Sequence, residues 1–319
     1  MEMTKKKRIV MPEFDKNNMI KVAKKIWRQK ALFAMLALPM FIYCLFSYVP
    51  MTKVTWAFTN LGDVAKSKTT FVGFKNFVEL IGTSGFRRAF ANTLIISFYN
   101  TVFSFPIPII IALFLNEIQC KWFKKFSQTV IYLPHFLSWA IIGSIFYLLL
   151  APQNSVNAQV ADLLNAEPIY FFASLDHIRG ILVFTNIWQG AGYGAIVYLA
   201  ALSGVDQGLY EAATIDGASR FQKMKYISLP CIRPIIVTML ILGLAKVLNI
   251  FNQVLVMCTE ITYSKVDVIQ TYAYRTGIEQ MRMGYSMAVS VFKAIISLVL
   301  VLSTNAIAKK ISDGEEGVF

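Results

Sequence analysis

Six runs of the chain, Ala31–Val49, Asn92–Leu115, Val130–Leu150, Ile181–Leu202, Pro234–Val256 and Ser286–Ala308, are predominantly apolar. Each lasts about twenty residues, the length at which a helix crosses hydrocarbon about 30 Å thick. Backbone N–H and C=O groups in lipid must be satisfied within their own segment, so runs this long predict helices and not barrel strands. The pattern therefore predicts an all-α polytopic membrane protein with six transmembrane helices.

The polar stretches between these runs divide the chain. Residues 1–30 form a basic segment, 31–308 the six-span transmembrane domain with a loop at 203–233, and 309–319 a tail. The segment Gly73–Leu80, rich in phenylalanine, predicts a short interfacial helix, and 151–179 a structured outer loop. In span two, Pro106 and Pro108 remove two backbone donors and predict a bend.

Composition narrows the class. At 56% hydrophobic and 15% charged residues over 319 positions, an ordinary soluble domain is excluded and no room remains for a soluble catalytic domain. Lys+Arg 31 against Asp+Glu 18 is a basic excess. With the amino terminus inside, about nineteen basic residues fall in cytoplasmic segments and about ten outside. Both termini are thus expected in the cytoplasm, with 1–30 against an anionic lipid leaflet and no nucleic acid as partner. About thirty polar residues precede the first apolar run, so that run is expected to stay as an anchor and not to be a cleaved signal. Cys44, Cys120, Cys231 and Cys258, like His135 and His177, have no metal-ligand spacing, and no metal site is expected.

The loop between spans four and five carries the most specific pattern. Glu211-Ala212-Ala213 is followed by Asp216-Gly217-Ala218 and then by Ile227, Leu229 and Pro230. A short helix of small residues with an acid near its start is followed by a glycine that permits a sharp turn. A second amphipathic stretch ends where proline stops it. The product is a compact helical knob on the cytoplasmic side, with Arg220, Lys223 and Lys225 giving it a basic face.

This loop resembles the EAA loop of binding-protein-dependent ABC import permeases. Ile187-Trp-Gln-Gly, Leu202-Ser-Gly-Val and Val268-Ile-Gln-Thr-Tyr-Ala-Tyr-Arg-Thr-Gly-Ile look like sugar-uptake permeases, especially the oligosaccharide and polysaccharide branch. The resemblance implies an ABC importer permease fold in a bacterial-type cytoplasmic membrane, with the knob as a coupling helix. It also implies a second homologous permease, two ATP-binding subunits, an extracellular or periplasmic solute-binding protein and an oligosaccharide substrate. The sequence contains no Gly-x-x-x-x-Gly-Lys-Ser/Thr phosphate loop. This chain is therefore expected to be a transporter subunit with no cofactor of its own, ATP and Mg residing on its partners. A permease for a non-sugar solute is the nearest alternative. An autonomous secondary transporter is the other, although no span contains the acidic residue it would use for ion coupling.

Polar residues inside spans are costly and mark candidate path positions. Lys246, Asn249, Asn252 and Gln253 fall broadly on one face of span five if that helix is continuous. Lys293 with Ser286, Ser290 and Ser297 does so in span six, Asn186, Gln189 and Tyr193 in span four, and Trp139 and Tyr147 with His135 in span three. Amides and aromatic rings suit sugars, and the competing explanation is hydrogen bonding between helices. Lys246 and Lys293 each cost about 2.5–3.5 kcal/mol at a helix centre and have no acid within a span to neutralise them. One expectation that follows is a substrate bearing carboxylates.

Overall fold

The structure is a computed structural model in which residues 27–62, 69–153 and 155–311 are described, with side chains as far as 306. The basic amino-terminal segment up to 26 and the tail from 312 lie outside the described residues. The chain divides into two compact units, with the boundary between Thr55 and Trp56.

In the first unit, α1 (Lys30–Tyr43) contains Pro39 and runs on through a π-helical segment, Cys44–Tyr48. Among the described residues, the second unit is mostly helical, and its β pairing is one isolated bridge, Thr59 to Phe71. In chain order it comprises α2 (Lys75–Gly82), α3 (Ser84–Tyr99), α4 (Pro106–Glu117), α5 (Lys121–Tyr132), α6 (Trp139–Leu150) and α7 (Val156–Leu163). These are followed by α8 (Ile178–Ser203), α9 (Gln207–Ile215), α10 (Arg220–Lys223), α11 (Arg233–Lys246), α12 (Asn252–Met257), α13 (Ile269–Tyr274) and α14 (Met283–Ile311). The stretch Gly73–Leu80 is helical from Lys75, as α2, and the block 151–179 carries α7.

Three helical stretches are long and apolar enough to cross a membrane alone: Lys30–Phe58, Ser84–Glu117 and Met283–Ala306. Two bent pairs pass the same test together, Lys121–Phe136 with Trp139–Leu150 at 102° and Arg220–Cys231 with Arg233–Lys246 at 63°. The apolar run 130–150 is therefore not a single helix. Pro134 opens a short 3-10 turn, Leu133–Phe136, and Ser138 starts α6 afresh by accepting a hydrogen bond from the Ile141 amide. The run 234–256 is likewise interrupted, because α11 stops at Lys246 and α12 begins at Asn252. At 26 residues α8 spans about 39 Å at about 1.5 Å per residue. Asn186, Gln189 and its glycines dilute its apolar character.

The prolines leave a consistent trace. π-Helical segments at Cys44–Tyr48, Asn100–Ser104 and Met224–Ser228 each end two residues before a proline, at Pro50, Pro106 and Pro230. A proline has no N–H and its ring repels the carbonyl four residues back. That carbonyl belongs to Phe46, Val102 and Tyr226 respectively, inside each π segment, where the wider turn relieves the conflict. Span two, where the prolines predict a bend, is one 34-residue stretch with a π segment inside it.

Three apolar clusters hold the second unit together. Ile96, Ile142, Phe146, Leu182, Val254 and Met257 join α3, α6, α8 and α12. Leu80, Phe86, Tyr272, Tyr285 and Val289 join α2, α3, α13 and α14. Ile109, Ala112, Ala195, Tyr198, Leu202 and Ile232 join α4, α8 and the start of α11. Gly192 lets α8 approach the end of α5 so closely that an added Cβ would lie 2.1 Å from the Ile131 carbonyl oxygen. A Cβ at Gly194 would meet Pro108 at 3.1 Å, whereas one at Gly190 would meet nothing within 4 Å. Close packing thus involves the first two and not the third.

Polar residues on one side of α3 hold the segment 247–269. Asn92 Nδ2 donates to the carbonyls of Ser264 and Asp267, both at 3.2 Å, while its Oδ1 accepts from Arg179 at 2.7 Å. Thr93 Oγ1 accepts from the Ile269 amide at 2.9 Å, and Ser97 Oγ donates to the Val247 carbonyl at 2.8 Å. These bonds fix the backbone on either side of α12, where two of the candidate path residues sit.

Candidate functional site: a helical knob and two basic cavities

The knob begins at Asp206, whose side chain caps α9 by accepting from the Gly208 amide at 2.9 Å. Glu211 and Ala212 are exposed on α9, and Ala213 is half-buried. Asp216 ends the helix and Gly217 follows with φ +78, a left-handed conformation that glycine adopts without a Cβ penalty. The amides of Asp216, Gly217 and Ala218 donate to the carbonyls of Ala212, Thr214 and Ala213 at 3.0, 3.1 and 2.9 Å, closing the helix end. Ser219 then caps α10 in a reciprocal box with Gln222.

Ile227 lies half-buried in the π segment, and Leu229 and Pro230 open the turn Leu229–Cys231 that leads into α11. The two arms of the knob are joined by the Tyr210 and Ser228 hydroxyls, 2.9 Å apart, and by Lys223 donating to Thr214 at 3.2 Å. The outer surface is unusually apolar for a charged loop: Ile215 is 87% exposed and Phe221 70%. The loop is thus a doubly capped pair of helical arms with small residues, two acids and exposed apolar tips.

The candidate path residues separate into groups. Lys246 and Asn249 line a cavity of about 340 Å³ together with Asn186, Asn100, Thr101 and Ser104. Asn186 Nδ2 donates to Ser104 Oγ there at 3.2 Å. Lys293 lines a second cavity, of about 300 Å³, with Gln270, Ser286, Ser290, Phe251 and Tyr274. The two are linked by Lys293 Nζ, which donates to Asn249 Oδ1 at 2.6 Å. Both volumes fall at the lower end of the range for small-ligand sites, about 300–1,000 Å³.

The remaining path candidates lie elsewhere. Gln253 is 4% exposed and donates to the Leu182 carbonyl at 2.6 Å and to Thr185 Oγ1 at 2.8 Å, which makes it a tie between α12 and α8. Asn252, the first residue of α12, is exposed and lines neither cavity. Trp139 packs at the edge of the Ile142–Phe146 cluster. The Tyr147 hydroxyl is 3.3 Å from that of Tyr170. Tyr193 stacks on His135 with ring centroids 3.8 Å apart. Gln189 is half-buried and lines neither cavity.

Conversely, Asn100, Thr101, Ser104 and Gln270 are lining residues that the sequence reading passed over. The signal available was the polar trio interrupting an otherwise apolar span two. Asn100 Oδ1 and Gln270 Oε1 are buried with no hydrogen-bond partner.

Residues 85–313 match the family described as "Binding-protein-dependent transport system inner membrane component". The chain is 38% identical over 294 residues to Protein LplB of Bacillus subtilis (strain 168), covering 92% of each chain. It is 37% identical to the polygalacturonan/rhamnogalacturonan transport system permease protein YteP of the same organism, covering 96% of this chain and 95% of that one. A chain from the crystal structure of a bacterial ABC transporter involved in the import of the acidic polysaccharide alginate superposes with a TM-score of 0.83. It is 36% identical, over 91% of this chain and 99% of that one. The capped loop, the apolar helices and these likenesses agree: the chain belongs to the inner membrane components of binding-protein-dependent ABC transport systems.

Proposed function

We propose that this chain is the transmembrane subunit of an ATP-driven importer that carries an oligosaccharide across the cytoplasmic membrane. The observation that carries the reading is the knob: Glu211-Ala-Ala on a capped helix, the left-handed Gly217 turn and the second arm running through Pro230. It serves as the coupling element, with Glu211 and Asp216 orienting it, Ala212, Ala213 and Ala218 allowing close approach, and Ile227, Leu229 and Pro230 passing movement to α11. Three single helices, two bent pairs and α8 support a count of six spans. The charge distribution supports cytoplasmic termini.

The working complex contains a second homologous permease, two ATP-binding subunits that hold ATP and Mg, and an external solute-binding protein. Relatives support the saccharide: YteP is a polygalacturonan/rhamnogalacturonan permease, the arabinooligosaccharides permease AraP of Bacillus subtilis is 26% identical over 256 residues, and the superposed transporter imports alginate. Within this chain, Asn186, Lys246, Asn249 and Lys293 supply polar groups for the path.

Purification without crosslinking tests the reading. A stable complex with an ATPase, lost when Glu211 and Gly217 are both replaced, is the expected result. Uptake by this chain alone, independent of ATP, would overturn it. A solute receptor from the same complex that binds amino acids or metal chelates and no glycan would replace the saccharide by another cargo.

A further inference from the structure

Two lysines line adjacent cavities, and one of them, Lys293, is bonded to an amide of the other cavity's lining. Lys246 and Asn249 line one cavity, Lys293 lines the next, and Lys293 donates to Asn249 Oδ1 at 2.6 Å. Among the described residues, neither cavity is lined by an aspartate or glutamate, and the ion pairs found lie elsewhere, Arg275 with Asp267 and Arg282 with Glu79. Each cavity also contains a buried amide oxygen without a partner, Asn100 Oδ1 in the first and Gln270 Oε1 in the second.

Both kinds of group lack a complement of defined chemistry. An ammonium with no acid in its lining calls for an anion, and a charge-assisted bond to a carboxylate is about twice as strong as a neutral one. An orphan amide oxygen calls for a hydroxyl or N–H donor. A uronate residue carries both, one carboxylate and several hydroxyls, and a uronate oligomer repeats them at intervals.

Resting on the saccharide reading above, we propose that Lys246 and Lys293 are specificity-determining residues that each take one carboxylate of a uronate-bearing oligosaccharide. Sugar hydroxyls donate to the Asn100 and Gln270 amide oxygens, which are buried in this structure, once the bound sugar opens the linings around them. Asn249 is the neutral stand-in: its amide oxygen occupies Lys293 until a substrate carboxylate displaces it, so the second subsite is held ordered while empty. A neutral sugar has no group with which to compete for that ammonium.

The test uses the complete transporter in proteoliposomes with its binding protein. The probes are oligogalacturonides and alginate oligosaccharides of two to five residues, each beside its carboxyl-reduced neutral counterpart. Lys246→Gln and Lys293→Gln are expected to lower acidic-glycan uptake at least tenfold and to change uptake of any neutral glycan less than twofold. Lys→Arg at either position restores the acidic activity. Asn249→Asp, close to isosteric, places a carboxylate permanently beside Lys293, and it too is expected to lower acidic uptake by a larger factor than neutral uptake. Equal losses for acidic and neutral glycans, or undiminished acidic uptake in all three variants, overturn the lysine assignment and leave the saccharide reading standing. Wild-type transport of only the neutral glycans, or of none of those tested, overturns this proposal and leaves the saccharide reading standing, which falls only if the binding protein takes a non-glycan solute instead.

Discussion

The Tyr210 and Ser228 hydroxyls lie 2.9 Å apart and join helix α9 to the π segment on the far side of the Gly217 turn. Ser228 is 1% exposed, so the bond is sheltered from water. A bond of this kind contributes about 0.5–1.5 kcal/mol. Tyr210→Phe is therefore expected to shift the knob toward a loosened state by roughly two- to twelvefold. Transport per ATP hydrolysed falls by a corresponding factor while basal hydrolysis persists, as paired uptake and phosphate-release assays on one preparation would measure.

Glu211 is exposed on α9 and no side-chain hydrogen bond ties it to the rest of the loop among the described contacts. Reversing its charge should leave folding intact. Glu211→Lys is expected to retain the wild-type melting temperature in detergent and to uncouple ATP hydrolysis from transport. Normal transport by this variant would contradict the coupling role.

At Gly217 space and conformation can be separated. A Cβ there would meet nothing within 4 Å, so any effect of substitution comes from φ +78. A left-handed residue with a side chain costs about 1–2 kcal/mol, less for asparagine. Gly217→Val is expected to weaken association with the ATP-binding subunits about five- to thirtyfold, and Gly217→Asn much less. Binding of the detergent-solubilised permease to the purified ATPase subunit would distinguish them.

Gly192 and Gly190 give the opposite contrast on one helix. An alanine at 192 drives its Cβ to 2.1 Å from the Ile131 carbonyl oxygen, which is backbone and cannot move aside, while 190 is open. Overpacking of this kind costs about 1–3 kcal/mol, whereas glycine to alanine in an unobstructed helix gains about 0.8–1 kcal/mol. Thermal denaturation in detergent should therefore fall for Gly192→Ala and stay level or rise for Gly190→Ala.

Native thiols report the orientation. Cys120 is exposed in the turn before α5, which the charge distribution assigns to the cytoplasm. Cys258 lies beyond α12 in the opposite group of loops, where burial pushes its thiol up to about 12, with the Thr262 hydrogen bond opposing to a lesser degree. A raised thiol pKa leaves almost no thiolate at neutral pH. A membrane-impermeant maleimide is expected to label Cys120 in inside-out vesicles and not in intact cells, and to leave Cys258 unlabelled in both until the protein is denatured.

The first arm and the turn of the loop were legible residue by residue, because they are set by local chemistry, acid and small residues on α9 and Gly217 for the turn. The second arm instead runs through Pro230, the expected stop, and breaks only at Ile232. The existence of apolar helices was equally legible from run lengths. What escaped the reading is where those runs break. Residues 130–150 are apolar on both sides of the 102° turn, so hydropathy is blind to it, although Pro134 followed by Ser138 is a helix stop followed by a cap. The same blindness misgrouped Gln253: it shares a face with Lys246 if the helix is continuous, and the interruption from 247 to 251 sends it into the α8 contact instead. Asn249, which shares a cavity lining with Lys246, does meet Lys293, a meeting of residues 44 positions apart that no periodicity encodes.

The π segment at Asn100–Ser104 has a consequence for how this helix is numbered. A π turn accommodates about one residue more than an α turn, and one residue corresponds to about 100° of rotation. The half-helix before the segment and α4 after it are thus out of phase, and a helical wheel drawn through 84–117 assigns the wrong face to one of them. Removing a single residue within 100–104 would restore a regular wheel and rotate the packing face of α4, with Ile109 and Ala112, by about a quarter turn away from α8. For this stretch of chain, a one-residue deletion is a larger perturbation than most substitutions, and alignments that open a gap there should be read as changes of rotational phase.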